Sequence, residues 1–243
     1  FAWFRKNVDF SALQCENLKL YLERTRITEL YIDGKKIGRQ ESLCTPHIYD
    51  LNEYIGTGIH EMTICVSNVG YKTKGGHLTS PDTQTNWNGI TGRIELIGYK
   101  NAHAENVMLW CDIYSKTVRV TANITGGKSG KAVISAENFN SEKNHTPAVQ
   151  SFEYTDGKLD ALYKMGDDGL LWSEHEPNLY KLKIDIDGDV SEHIIGMREF
   201  RTEGGKFTIN GEKTFLRGKH DGMIFPKTAF APTDLDEWLR VMK

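Results

Sequence analysis

A two-residue beat of apolar side chains governs this chain. Between residues 2 and 200, short stretches that alternate apolar with polar, or run apolar for a few residues, are separated by turn-forming pairs. No long helical spacing competes with them. Such a chain buries its apolar side chains by pairing strands into sheets and packing the inward faces together, so a mainly β fold is expected. Residues 1–98 read as strands at "AWFRKNVDF", "NLKLYLE", "ELYIDGKKIG", "HEMTICVSN" and "GRIELIGY", with turns at Asp33-Gly34 and Gly56-Thr57-Gly58. Asp33-Gly34 lies between Leu30, Ile32 and Ile37, the pattern of a hairpin with a two-residue loop. This block is expected to be one antiparallel sandwich.

Residues 104–197 carry a second series, "ENVMLWCDI", "TVRVTANIT", "KAVISAENF", "VQSFEYTDG", "LDALYKMG", "LYKLKIDID" and "HIIGMREF". Their spacing is that of the strands of an immunoglobulin-like domain. Val118, Val120, Ala122 and Ile124 alternate inward, and so do Leu182, Ile184 and Ile186. The polar stretch "GYKNAHAE" joins the two series, which sets domains at 1–98 and 99–199. From residue 200 the pattern changes. "KFTINGEKTFLRG" places Asn210-Gly211 in a second hairpin, and a loop rich in Gly, His, Asp and Pro leads into a helical stretch over 233–243. There Leu235, Trp238, Leu239 and Met242 recur at helical spacing behind Pro232, with Thr233 able to cap and Asp234 and Asp236 in the positive first turn. Neither a Gly nor an Asn follows to close the helix, and Phe1 opens directly in a strand-like segment. The chain is therefore expected to be cut at both ends, with one βα unit whose strand needs partners further along.

The composition fits this reading and limits the partners. With 39% hydrophobic residues among 243, the chain supports one large or two ordinary cores. Its charged residues balance to a net −3, so no general attraction to nucleic-acid backbones or anionic lipid is expected. No apolar run approaches the ~20 residues of a membrane-spanning helix. Nucleic acid and membrane are thus not expected as partners. Cys15, Cys44, Cys65 and Cys111 lack metal-ligand spacing and read as free, buried thiols, so neither a metal nor a cofactor is expected.

The order of these blocks and four motifs resemble glycoside hydrolase family 2, the β-galactosidase, β-glucuronidase and β-mannosidase family. The motifs are "FAWFRKNVDF" with "YIDGKKIG", "TNWNGITGRIEL", "LWSEHEPNLYKLKI" and "GMREFRTEGGKFTINGEKTFLRGKH". The resemblance implies a jelly-roll sugar-binding domain over 1–98, an immunoglobulin-like β-sandwich over 99–199, and over 200–243 the truncated first βα unit of a TIM barrel. Residues 214–218 would be the first barrel strand. It implies a retaining β-glycosidase, with an acid and a nucleophile about 5 to 5.5 Å apart on later barrel strands, so no catalytic residue is expected in this chain.

Four residues are candidates for contact with a carbohydrate substrate. His220 stands where family members commonly place a His against the sugar. Asp221 could bond a hydroxyl, Arg217 could orient either acid, and Trp87 in "TNWNGI" could stack on a sugar ring. Thr85 stands where some β-galactosidases have an acidic residue, which weakens the case for galactose. Glu174 and Glu176 in "SEHEP" read as solvated acids of a strand-entry motif, and Arg5, Lys6, Arg24 and Arg26 as a solvated basic face. The exposed apolar side chains of the tail imply self-association into a homo-oligomer. A non-catalytic carbohydrate-binding or adhesion module is the competing reading, and "TFLRGKHDGMIFP" with its capped helix argues against it.

Overall fold

The computed structural model describes residues 1–43, 45–71, 89–218 and 234–242. Their contacts divide the chain into two units, Phe1–Gly98 with Gly218–Lys243, and Tyr99–Arg217.

In the first unit, β1 (Ala2–Asp9), β3 (Ile27–Ile32), β4 (Lys35–Glu41) and β6 (Ile59–Ser67) form a sheet in the order β1-β6-β3-β4. A smaller sheet joins β2 (Asn17–Leu22), β5 (His47–Asp50) and β7 (Ile94–Tyr99) in the order β5-β2-β7. One core unites the two sheets: Leu18, Leu20 and Leu22 of β2 pack with Leu30 and Ile32 of β3, Tyr49 of β5, and Met62, Ile64 and Val66 of β6. The strict alternation of β2 places its leucines inward at every second position. Asp33 and Gly34 both take positive φ, 49° and 78°, as the β3–β4 hairpin requires. Strand β5 was not read from the sequence. It is only four residues long and begins directly after Pro46, where a strand can start because that position needs no ladder N–H.

A polar trio lies inside this core. His47 Nδ1 lies 2.6 Å from Thr28 Oγ1, and its Nε2 lies 3.0 Å from both the backbone nitrogen and the carbonyl oxygen of Ser42. The Thr28 hydroxyl lies 2.7 Å from Tyr49 OH, and that hydroxyl donates to Thr28 O at 2.9 Å. All three residues are buried, and burial pushes the His47 imidazole below its ordinary value. The basic residues do not form the expected face. Arg5 is an exposed strand residue paired with Glu61, whereas Arg24 and Arg26 fall in the turn between β2 and β3, and Arg26 is buried. Alternation also separates Arg5 from Lys6 across the strand.

The second unit holds the strands of the second series, β8 (His103–Asp112), β9 (Thr117–Thr125), β10 (Ser129–Asn138), β11 (Gln150–Thr155), β12 (Lys158–Lys164), β13 (Tyr180–Ile186) and β14 (Asp189–Ile195). They join into one sheet in the order β14-β13-β10-β11-β12-β9-β8, which nearly closes on itself. β11 and β12 pair only at Thr155 and Lys158, a seam between β14-β13-β10-β11 and β12-β9-β8. Val118, Val120, Ile134, Tyr163, Leu182 and Ile184 are wholly buried between these parts. Buried Tyr163 keeps a partner: its OH donates to Ala148 O at 3.0 Å, and burial pushes that phenol up to about 12.

A three-stranded sheet follows, β15 (Phe200–Glu203), β16 (Lys206–Ile209) and β17 (Glu212–Lys213), with Asn210 and Gly211 at φ 52° and 82° in the expected turn. Residues 214–218, expected as a strand, form none. Thr214 N–H donates to Phe207 O at 2.9 Å, but no ladder among the described residues continues past it. Helix α1 (Leu235–Met242) is the one helix among the described residues. At its start Asp234 Oδ1 accepts the Asp236 N–H at 2.9 Å, and the expected cap Thr233 lies outside the described residues. Among the described cysteines Cys15, Cys65 and Cys111 are free, and burial raises all three thiols.

Candidate functional site

The exit of the three-stranded sheet carries Arg217, the one predicted site residue the structure describes. Trp87, His220 and Asp221 lie outside the described residues, as does Thr85. Arg217 is 77% exposed at its side chain, and its Nη1 donates to Glu174 Oε2 at 3.4 Å. Glu174 Oε1 in turn lies 3.3 Å from His175 Nε2.

Glu174, His175 and Glu176 occupy a bend between Trp172 and Pro177, which are joined by an isolated antiparallel bridge. The bend is closed by Ser173 N donating to Glu176 O at 2.9 Å, and by the Glu176 N–H donating to Ser173 Oγ at 3.0 Å. The two acids are solvated, as expected, but a bend and not a strand spaces them, and each has its own cation. Lys143 Nζ lies 2.9 Å from Glu176 and holds its carboxyl below the usual range.

Sequence reasoning treated "SEHEP" and "FLRGKH" as separate motifs and missed the contact between Glu174 and Arg217. They stand 43 residues apart. The signal available was one of complementary charge only, which many surface residues share. It also read Asn210 as a turn residue alone, whereas Asn210 Nδ2 donates to Trp172 O at 2.9 Å. No group of three or more His, Cys, Asp or Glu side chains that could hold a metal occurs among the described residues. No described helix is long and apolar enough to cross a membrane.

The two β units, with the small sheet that follows the second, have counterparts in known proteins. Residues 102–198 match the family model described as Glycosyl hydrolases family 2. The chain is 26% identical over 252 residues to a beta-galactosidase of Thermoanaerobacter pseudethanolicus, covering 96% of this chain and 33% of that protein. It is 24% identical over 234 residues to a beta-galactosidase of Leuconostoc mesenteroides, covering 88% of this chain and 22% of that protein. Among solved structures, the beta-glucuronidase of Bacteroides uniformis superposes with a TM-score of 0.69 at 17% identity, over 99% of this chain and 31% of that one. That of Faecalibacterium prausnitzii does so with 0.69 at 16%, over 89% and 40%. These matches bear out the resemblance to glycoside hydrolase family 2 read from the motifs. It spans between a fifth and a third of the length of these two curated relatives.

Proposed function

We propose that this chain is the accessory, N-terminal portion of a retaining β-glycosidase that hydrolyses O-glycosidic bonds in carbohydrates. The observation that carries the reading is the family 2 match over 102–198, extended across most of the chain by relatives named as beta-galactosidases. The first unit is read as the jelly-roll sugar-binding domain, Tyr99 to Glu199 as the immunoglobulin-like sandwich, and residues from 200 onward as the entry to a TIM barrel. His220, Asp221, Arg217 and Trp87 are read as substrate contacts of the whole enzyme: His220 for the sugar ring, Asp221 for a hydroxyl, Trp87 for stacking, and Arg217 to orient either acid. The short reach of the chain relative to its relatives supports placing both catalytic carboxylates elsewhere.

Because hydrolysis with retention needs acid and nucleophile together, the purified chain should not turn over chromogenic β-galactosides, β-glucuronides or β-mannosides. Turnover that survives repurification would refute this. In a glycosidase that contains the chain, His220→Ala should lower kcat/KM while the unfolding midpoint stays in place. Unchanged kcat/KM would remove His220 from the pocket.

A further inference from the structure

Few groups hold the three-stranded sheet of β15–β17 to the rest of its unit. Phe200 and Phe207 stack on each other at 5.4 Å but remain 49% and 42% exposed, and of the residues in these three strands Thr208 alone is buried. Chain continuity through residues 196–199 brings the sheet near but does not orient it. Orientation comes from the turn tip. Asn210 N–H donates to Glu199 O at 2.9 Å, and its side-chain Oδ1 accepts the Glu199 N–H at 2.9 Å, so one residue takes both backbone groups of Glu199. Its Nδ2 then reaches Trp172 O at 2.9 Å.

Trp172 is itself fixed. Its N–H donates to Met197 O at 2.9 Å, and its side chain lies so close to Gly196 that a Cβ there would approach it to 3.0 Å. The Arg198 guanidinium sits 4.6 Å from its ring centroid. The only other side-chain tie from residues 200–217 to the 173–177 bend, among the described residues, is the Arg217–Glu174 pair, and exposed pairs of this kind contribute little.

We propose that Asn210 is a clasp, a positioning residue whose side-chain amide fixes the β16–β17 tip on Glu199 and Trp172 and so sets the course of the chain toward Arg217. The functional meaning of that course rests on the reading of Arg217 as part of the glycoside pocket. The clasp itself does not. It requires an amide, with an acceptor at one end and a donor at the other. An Asp carboxylate would set an acceptor against the Trp172 carbonyl, and a Gly would supply neither group while keeping the left-handed turn.

Hydrogen exchange of the whole chain, read residue by residue by NMR, tests the clasp without any sugar. At pH 7 the amides of Glu199, residue 210 and Thr214 should exchange about tenfold faster in both Asn210→Gly and Asn210→Asp, while those of β9 and β13 stay as in the native chain. Below about pH 4 the carboxyl introduced by Asn210→Asp is protonated and can donate to Trp172 O, so that variant should return to the native rate at that pH and Asn210→Gly should not. Native rates in both variants at pH 7, acceleration spread evenly over β9 and β13, or the same pH response in the two variants would each overturn the clasp. Failure here leaves the glycosidase reading standing, since that reading falls only on the turnover tests.

Discussion

The two units solve the same packing problem to different degrees. In Tyr99–Arg217 a single sheet nearly closes, and its inward residues from β9, β10, β12 and β13 reach full burial with few polar groups among them. In Phe1–Gly98 two smaller sheets face each other, a His–Thr–Tyr trio sits within the core, and among the described residues one end stays open. There Phe4, Ile94 and Leu96 border a depression of about 400 Å³ and remain 51%, 58% and 38% exposed. Closure rewards apolar alternation everywhere, whereas an open sandwich has positions where the same pattern is only half used. Identical residue types should therefore matter very differently in the two units.

The largest effect belongs to the closed unit. Leu182→Ala should cost about 2 to 5 kcal/mol, because it removes a wholly buried side chain from a core with little room to collapse. In calorimetry the loss should fall on the transition of this unit. Movement of both unfolding transitions by the same amount would break the comparison.

Next comes the polar trio. Thr28→Val keeps the shape but removes the hydroxyl that pairs with His47 Nδ1 and Tyr49 OH, at a cost of about 1 to 3 kcal/mol confined to the first unit. Stability equal to or above the native value would show that the trio is ornamental to packing.

The trio also gives the first unit a pH dependence. His47 is held below its ordinary value of 6.5 in the folded chain, by burial first, so the unfolded chain binds the proton at higher pH than the folded one. The His47 contribution is complete above about 6.5 and is lost as pH falls through the lower folded value. His193, also lowered by burial, acts in the same direction in the second unit, so the contrast must be drawn with a variant. His47→Gln should flatten the decline of the first unit below about pH 6.5 and leave that of the second unchanged. A slope that survives the substitution would assign the decline to other groups.

The smallest effect is at the open end. Ile94→Ala should shift stability by less than about 0.5 kcal/mol, since the side chain is already 58% exposed. A cost comparable to Leu182→Ala would mean that the open end is packed in solution.

What the sequence determined by itself is local. Alternation with period two located most strands of the second series, including Val118 to Ile124 on β9 and Leu182 to Ile186 on β13, because side-chain direction in a strand is fixed by position alone, whereas β14 begins at Asp189, four residues ahead of the "HIIGMREF" stretch. Asp33-Gly34 and Asn210-Gly211 announced their turns because few residue pairs accept two successive positive φ values. The motifs around "LWSEHEPNLY" and "TINGEKTF" carried the resemblance to glycoside hydrolase family 2, because each is a short local run. The tertiary structure decided whatever depends on partners far apart in sequence. β1 pairs with β6, and β10 lies between β13 and β11, choices that alternation leaves degenerate. Arg26 is buried although its neighbours in sequence read as a solvated basic run. His47 finds Thr28 across 19 residues, Asn210 finds Trp172 across 38, and Arg217 finds Glu174 across 43. Each of these contacts is a single polar interaction that several other residues of the same type could have made, so only the pairing of strands, once complete, selects among them.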